Sequence, residues 1–109
     1  MSETPVMRAI QVAMSNFGAR VFRNNVGLFT TNRGTKVRTG LCAGSSDLIG
    51  WTATGVFLAI EVKSDDGDAK PEQLEFIETV KRHGGVAFIA RSVKEAEEKY
   101  RQSVIGMGV

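Results

Sequence analysis

Two apolar runs of strand length flank the tripeptide Ala53-Thr54-Gly55: Asp47-Leu48-Ile49-Gly50-Trp51 before it, and Val56-Phe57-Leu58-Ala59-Ile60-Glu61-Val62-Lys63 after it. This pair constrains the fold more than any other stretch. A three-residue connection ending in glycine fits a type I turn followed by a left-handed residue, and that turn sets the register of the strands it joins. Counted outward, Thr52 faces Val56, Ile49 faces Ala59 and Asp47 faces Glu61. Side-chain alternation then puts Glu61 and Lys63 on one face, about 6 to 7 Å apart, with Phe57 and Ala59 behind them. Val56, Leu58, Ile60 and Val62 take the other face and the core.

Directly opposed β-carbons lie about 4.5 to 5.5 Å apart, and two carboxylates so placed repel. A fold tolerates this when something positive binds between them. Cys42 and His83 are the single cysteine and the single histidine; they are too few for a zinc cluster, and one cysteine excludes an intramolecular disulfide. The fitting occupant is Mg²⁺ or Mn²⁺, held by a few carboxylates, a carbonyl and water. Lys63, one pleat along, would point at whatever the cation binds. Cation plus lysine suits charge stabilisation on a phosphoryl group and activation of water. The plainer alternative is a Glu61–Lys63 ion pair at a strand end, with Asp47 merely starting a strand. A register slip of one residue would send Asp47 to the opposite face.

The surrounding chain reads as alternating helices and strands. Thr4 caps and Pro5 opens a helix whose apolar positions Val6, Ile10, Met14 and Phe17 recur at helical spacing until Gly18. Glu3 falls two turns before Ile10, at the N-terminal end of the packing face, as a cap or aimed at a site. Ala19–Asn24 reads as a short strand. Gly27, Gly34, Gly40 and Gly44 then punctuate loops or weakly paired strands, with an extended piece around Lys36–Arg38. Pro71 opens a second helix through Leu74, Ile77 and Val80, closed by His83-Gly84-Gly85. Gln73 lies in its first turn on the buried face, where a polar group needs a partner, either as a cap or at a site. Val86–Ala90 suits a strand buried on both faces. Ser92 and Glu95 form a capping box for a third helix to about Ser103. Trp51 and the phenylalanines read as core, with Trp51 possible at a rim, and Cys42 as a small buried side chain. The order implies an α/β domain with a mixed central sheet flanked by helices.

At 109 residues, 42% hydrophobic and 24% charged, the chain reads as one globular domain, residues 1–109, and not as a disordered tail. A domain this small gains from the burial a second copy provides. The longest mainly apolar stretch, Val56–Ile60, is far short of the roughly 20 residues that span a bilayer, and the start lacks a signal pattern, so a soluble cytosolic protein is expected. Charge is uneven: from Thr4 to Ser46 there are six basic residues and no acidic one, whereas from Asp47 onward eleven acids oppose eight bases. Such a field attracts polyanions, foremost the phosphate backbone of nucleic acid. The candidate contacts are Arg20, Arg23, Arg33, Lys36 and Arg38, together with Asn24. The alternative is a solvated basic surface.

Gly44-Ser45-Ser46-Asp47-Leu48-Ile49-Gly50, then Ile60-Glu61-Val62-Lys63 and Pro71-Glu72-Gln73, resemble the VRR-NUC nucleases of the PD-(D/E)xK superfamily. The resemblance runs from Ser2-Glu3 through Arg23-Asn24-Asn25-Val26-Gly27 to Gly84-Gly85-Val86-Ala87. It implies a restriction-endonuclease-like core with Asp47 and Glu61 as metal-binding carboxylates and Lys63 orienting or deprotonating water. The Val62 carbonyl and Glu3 would complete the metal site, and Gln73 would support it. Ser46 departs from the proline of the superfamily name. Stand-alone members, many from phages, resemble homodimeric enzymes that cut branched DNA, four-way (Holliday) junctions in particular. The expectation is therefore a Mg²⁺- or Mn²⁺-dependent endodeoxyribonuclease of bacterial or phage-infected cytoplasm, acting in DNA repair or replication. It would take branched DNA as substrate and use no small-molecule cofactor. The competing readings are a non-catalytic nucleic-acid-binding module of the same fold, and a flap, duplex or RNA nuclease. For a dimer surface, Val26, Leu28, Phe29 and Val37 lack an obvious core assignment, whereas the third helix is too charged.

Overall fold

In the computed structural model the turn at Ala53-Thr54-Gly55 forms as its residues dictate. Gly55 takes φ +91°, the Thr52 N–H donates to the Val56 carbonyl at 2.8 Å and the Gly55 N–H to the Thr52 carbonyl at 3.0 Å. The structure describes residues 4–107. Along the chain these form α1 (Pro5–Asn16), β1 (Arg20–Arg23), β2 (Gly27–Thr30), β3 (Lys36–Thr39), β4 (Leu48–Trp51), β5 (Phe57–Val62), α2 (Pro71–Arg82), β6 (Val86–Ala90) and α3 (Val93–Val104).

The main sheet has the order β1-β4-β5-β6. β1 and β5 run antiparallel to β4, and β6 is parallel to β5, with α2 as the crossover between them. The β4–β5 ladder pairs Leu48 with Ile60, Ile49 with Ala59 and Trp51 with Phe57, the register counted from the turn. Continued by one residue, it sets Asp47 opposite Glu61.

Both faces of β5 and β6 are covered. Leu58 and Ile60 pack with Val86, Phe88, Ile10, Met14 and Tyr100 under α1 and α3, while Ala59 and Ala87 pack against Ile77 of α2. The sequence predicts a single core face on β5; the second core exists because a parallel β-α-β unit lays its crossover helix on the sheet. Small residues at Ala59 and Ala87 let α2 approach on a narrow stripe, so Leu74 is left exposed instead of buried. In α1 the buried stripe is Met7, Ile10, Ala13 and Met14, and Val6 turns outward. Phe17 stacks on Tyr100 with ring centroids 5.2 Å apart. Cys42 and Trp51 are exposed, not core: Cys42 sits in the loop before β4, and Trp51 ends β4 on the part of the sheet that α2 leaves open.

The glycine-punctuated segment folds as a separate antiparallel ribbon, β2–β3, pairing Leu28 with Arg38 and Phe29 with Val37. Its strands contact mainly each other, and Leu28, Phe29 and Val37 are exposed. Thr4 and Ser92 cap α1 and α3 as expected, accepting from the Met7 and Glu95 N–H groups. The Glu95 carboxylate reaches the Arg91 N–H, one residue upstream of the usual capping-box partner. Among the described residues no helix is long and apolar enough to cross a membrane.

Candidate active site

The site forms where the β4–β5 hairpin opens. Asp47 immediately precedes β4 and Lys63 immediately follows β5, so their side chains project from ladder ends and not from its middle. The Asp47 carbonyl accepts the Asn24 N–H at 2.8 Å, and its carboxylate Oδ2 accepts the Val62 N–H at 2.9 Å. Within a strand the N–H and C=O of one residue point the same way. The Val62 carbonyl therefore faces the Asp47 side of β5.

Glu61 is almost wholly enclosed, its side chain 2% exposed, and its Oε2 lies 3.4 Å from Lys63 Nζ. The other oxygen, Oε1, is buried with no hydrogen-bond partner. Burial first, and the neighbouring Asp47 carboxylate second, push the Glu61 carboxyl up to about 7, against the opposing pull of Lys63. A buried acceptor without a partner is costly. Two adjoining carboxylates and a peptide carbonyl are hard oxygen donors, and a divalent cation beside Oε1 would relieve both the repulsion and the missing bond. Among the described residues there is no group of three or more His, Cys, Asp or Glu able to hold a metal. Two carboxylates and a carbonyl fit a cation such as Mg²⁺ that retains several waters. Glu3, the further ligand the resemblance implies, lies outside the described residues.

Two clefts are lined by residues of the site. Asp47 lines one of about 360 Å³ with Arg23, Lys70, Glu72 and Gln73. Val62 and Lys63 line another of about 380 Å³ with Ser64 and Arg91. Glu61, enclosed, lines neither. Gln73 caps its helix: its Oε1 accepts the Lys70 N–H at 2.8 Å, closing the first turn of α2, and it also lines the Asp47 cleft.

Asn24 stands behind the site. Its amide donates to Ser45 Oγ and to the Ser46 carbonyl, both at 2.8 Å, and its Oδ1 accepts the Leu41 N–H at 2.9 Å. With the main-chain bond to Asp47, one buried side chain holds the loop that delivers the carboxylate. Sequence reasoning grouped Asn24 with the cationic contacts and missed this positioning role; its place in Arg23-Asn24-Asn25-Val26-Gly27 was the available signal. Gly44 has φ +82°, and a β-carbon there would meet the Glu72 carbonyl oxygen at 2.7 Å, so only glycine lets this loop close on α2. Arg91 was also missed. Its guanidinium donates to the Ser64 and Gly67 carbonyls, tethering the turn after Lys63, and nothing local in the sequence marks it.

The cations are distributed over two regions. Arg20 is exposed on β1, and Arg23 is half-buried, donating to Asn25 Oδ1 at 3.1 Å. Arg33 occupies the ribbon turn, and Lys36 and Arg38 are exposed on β3, where alternation gives them one face.

The VRR-NUC domain model matches residues 22–94, a span containing Asp47, Glu61, Lys63, Gln73 and the loop that Asn24 holds. A solved structure described as a VRR_NUC domain protein matches with a TM-score of 0.56 at 20% identity, covering 95% of this chain and 91% of that one; the likeness is one of fold. Comparison with curated protein sequences gives no match. Since the matched span is most of the chain and encloses the carboxylate pair with its lysine, the chain belongs to the VRR-NUC family of nucleases.

Proposed function

We propose that the chain is a metal-dependent, structure-selective endodeoxyribonuclease that hydrolyses phosphodiester bonds in branched DNA, four-way junctions foremost, and works as a homodimer. The observation that carries the reading is the Glu61 carboxyl: buried, pressed against Asp47, held to Lys63 through one oxygen and without a partner at the other. A structural ion pair would have both oxygens satisfied. Asp47, Glu61 and the Val62 carbonyl would hold Mg²⁺ or Mn²⁺. Bound there, the cation would supply Lewis acidity toward a phosphoryl oxygen and lower the pKa of water.

The chain's own groups account for the rest. Val62 N–H fixes the rotation of the Asp47 carboxylate, so its free oxygen needs no reorganisation on binding. Lys63, 18% exposed and anchored by Glu61, places its ammonium at the cleft, where it orients the attacking water and balances charge growing on the phosphate. The water oxygen bonds to phosphorus and loses its proton to bulk by way of the site's polar groups, while one phosphodiester P–O bond breaks and the departing sugar oxygen takes up a proton from solvent. The ribbon cations Arg33, Lys36 and Arg38 hold phosphates away from the cut. Two copies related by a two-fold axis match the paired strands of a symmetric junction.

The test is cleavage by purified protein with Mg²⁺ or Mn²⁺ against matched duplex, flap and four-way substrates, beside Asp47→Ala. Preferential paired nicks in the four-way substrate, a sedimenting mass near twice 11.8 kDa and loss of cutting in the variant are expected. Equal cutting of all substrates would leave a general nuclease, and no cutting would leave a binding module.

A further inference from the structure

α2 packs on β5 and β6, and toward the β1 edge the same side of the sheet carries two large aromatic residues. Phe22 on β1 and Trp51 on β4 are 52% and 48% exposed, with ring centroids 5.6 Å apart. Arg20 is the direct partner of Trp51 across the β1–β4 ladder, and Phe57 its partner across β4–β5. Alternation along β4 places Asp47, Ile49 and Trp51 on one face. The aromatic pair therefore shares a face with the carboxylates, roughly 13 Å along the strand from Asp47, within the span of a few nucleotides.

We propose that Phe22 and Trp51, flanked by Arg20, form a stacking platform for unpaired nucleobases of the strand whose backbone reaches Asp47 and Glu61. The proposal rests on the nuclease reading and adds a base-binding subsite to it. Aromatic faces beside a guanidinium bind single-stranded nucleic acid by stacking and charge, with little regard to sequence. Charge on these strands suits that ligand: from Thr4 to Ile60 the only acidic residue is Asp47. A second copy suits it less. Two half-exposed rings offer roughly 200 Å², against about 800 Å² per partner in a stable dimer. A two-fold contact centred here would also set Arg20 against its own copy.

Trp51 is the only tryptophan, so its emission reports this surface alone. The experiment titrates the protein, in EDTA, with single-stranded oligothymidylate and with the same strand annealed to oligodeoxyadenylate. Quenching by the single strand and little by the duplex is expected. Trp51→Leu and Phe22→Leu should each weaken oligothymidylate binding roughly tenfold, with Trp51→Phe and Phe22→Tyr retaining most of it because a ring remains. Emission unchanged at saturating single strand, or full affinity in Trp51→Leu, overturns the platform. A parent that sediments as a dimer while Trp51→Leu sediments as a monomer assigns the patch to a second copy and overturns it too. Should the parent cut branched DNA while Trp51→Leu binds normally, only the platform fails; a parent that neither binds nor cuts nucleic acid fails both readings.

Discussion

The Val62 peptide N–H donates to the Asp47 carboxylate at 2.9 Å, across the point where the β4–β5 ladder ends. One backbone donor thereby orients the half-buried carboxylate of Asp47 against the buried one at Glu61. The bond needs an acceptor oxygen, not a charge, and Asp47→Asn keeps such an oxygen. We expect Asp47→Asn to fold normally and to lose cleavage by at least about a hundredfold, a typical cost of removing one electrostatic group from a reacting centre. Glu61→Gln and Lys63→Ala should lose cleavage comparably. Single-turnover assays on a branched substrate, with circular dichroism for folding, check this; near-parental rates in any of the three refute its role.

Glu61 also makes stability depend on pH. Its carboxyl is raised from the ordinary 4.5 to about 7, so between those values the native state keeps a proton that the unfolded chain has released. Native binding of more protons means stability falls as pH rises through that window, with the slope ending near 7. The total change is on the order of 3 kcal/mol. Glu95, held below its ordinary range mainly by the Arg91 N–H, acts in the opposite sense only at lower pH. Melting temperatures in EDTA should fall from pH 4.5 to 7 in the parent and flatten in Glu61→Gln. A parent with no slope would contradict the raised carboxyl. Mg²⁺ favours the ionised form, so adding it should recover stability most at the alkaline end.

Asn24 serves several partners at once, and its removal should therefore exceed the cost of one hydrogen bond. In Asn24→Ala the Ser46 carbonyl and the Leu41 N–H lose their Asn24 partner, at about 1 to 3 kcal/mol for the buried Ser46 carbonyl and less for the part-buried Leu41 N–H. We expect a loss of a few kcal/mol in urea unfolding and weaker binding of Mg²⁺, since the loop carrying Asp47 loosens. A variant as stable as the parent would mean that the loop is held by its glycine and main-chain bonds alone.

The ribbon gives an electrostatic test. Arg33, Lys36 and Arg38 are exposed on the β2–β3 ribbon, apart from the sheet whose ends carry the carboxylates. Replacing all three with alanine should weaken binding alike for every DNA sequence. It should also reduce the slope of log affinity against log salt by about 0.9 for each phosphate that is no longer neutralised. Anisotropy titrations across a salt series read both effects. An unchanged slope would move the backbone-binding surface elsewhere, with β1 the next place to look.

By itself the sequence determined the local geometry. Gly55 after Ala53-Thr54 dictates a hairpin turn with one register, and that register carries Asp47 opposite Glu61 before any tertiary contact is known. Caps and helical periodicity placed α1, α2 and α3 to within a residue or two, because Thr4 and Ser92 accept from free N–H groups locally and Pro71 has no N–H to satisfy. The family motif was legible for the same reason: its residues cluster at two strand ends and one helix start.

Only the tertiary structure decided what depends on distant partners. The second core could not be read from β5, where Ala59 is a small residue on an alternating strand; it exists because α2 returns over the sheet to set β6 parallel. Leu74 and Val6 fit the helical period yet stay exposed, since the approach of another element selects which flank of an apolar stripe is buried. Asn24 gained its role from residues about 17 to 22 positions away, and Arg91 from carbonyls 24 and 27 positions away. Trp51 looked like core and lies open, because burial is a property of what packs above a strand and not of the side chain on it. The raised carboxyl of Glu61 has in larger part the same origin: its burial, the first cause, is a tertiary fact, while the approach of Asp47 and the residue types that make it chemically useful were in the chain from the start.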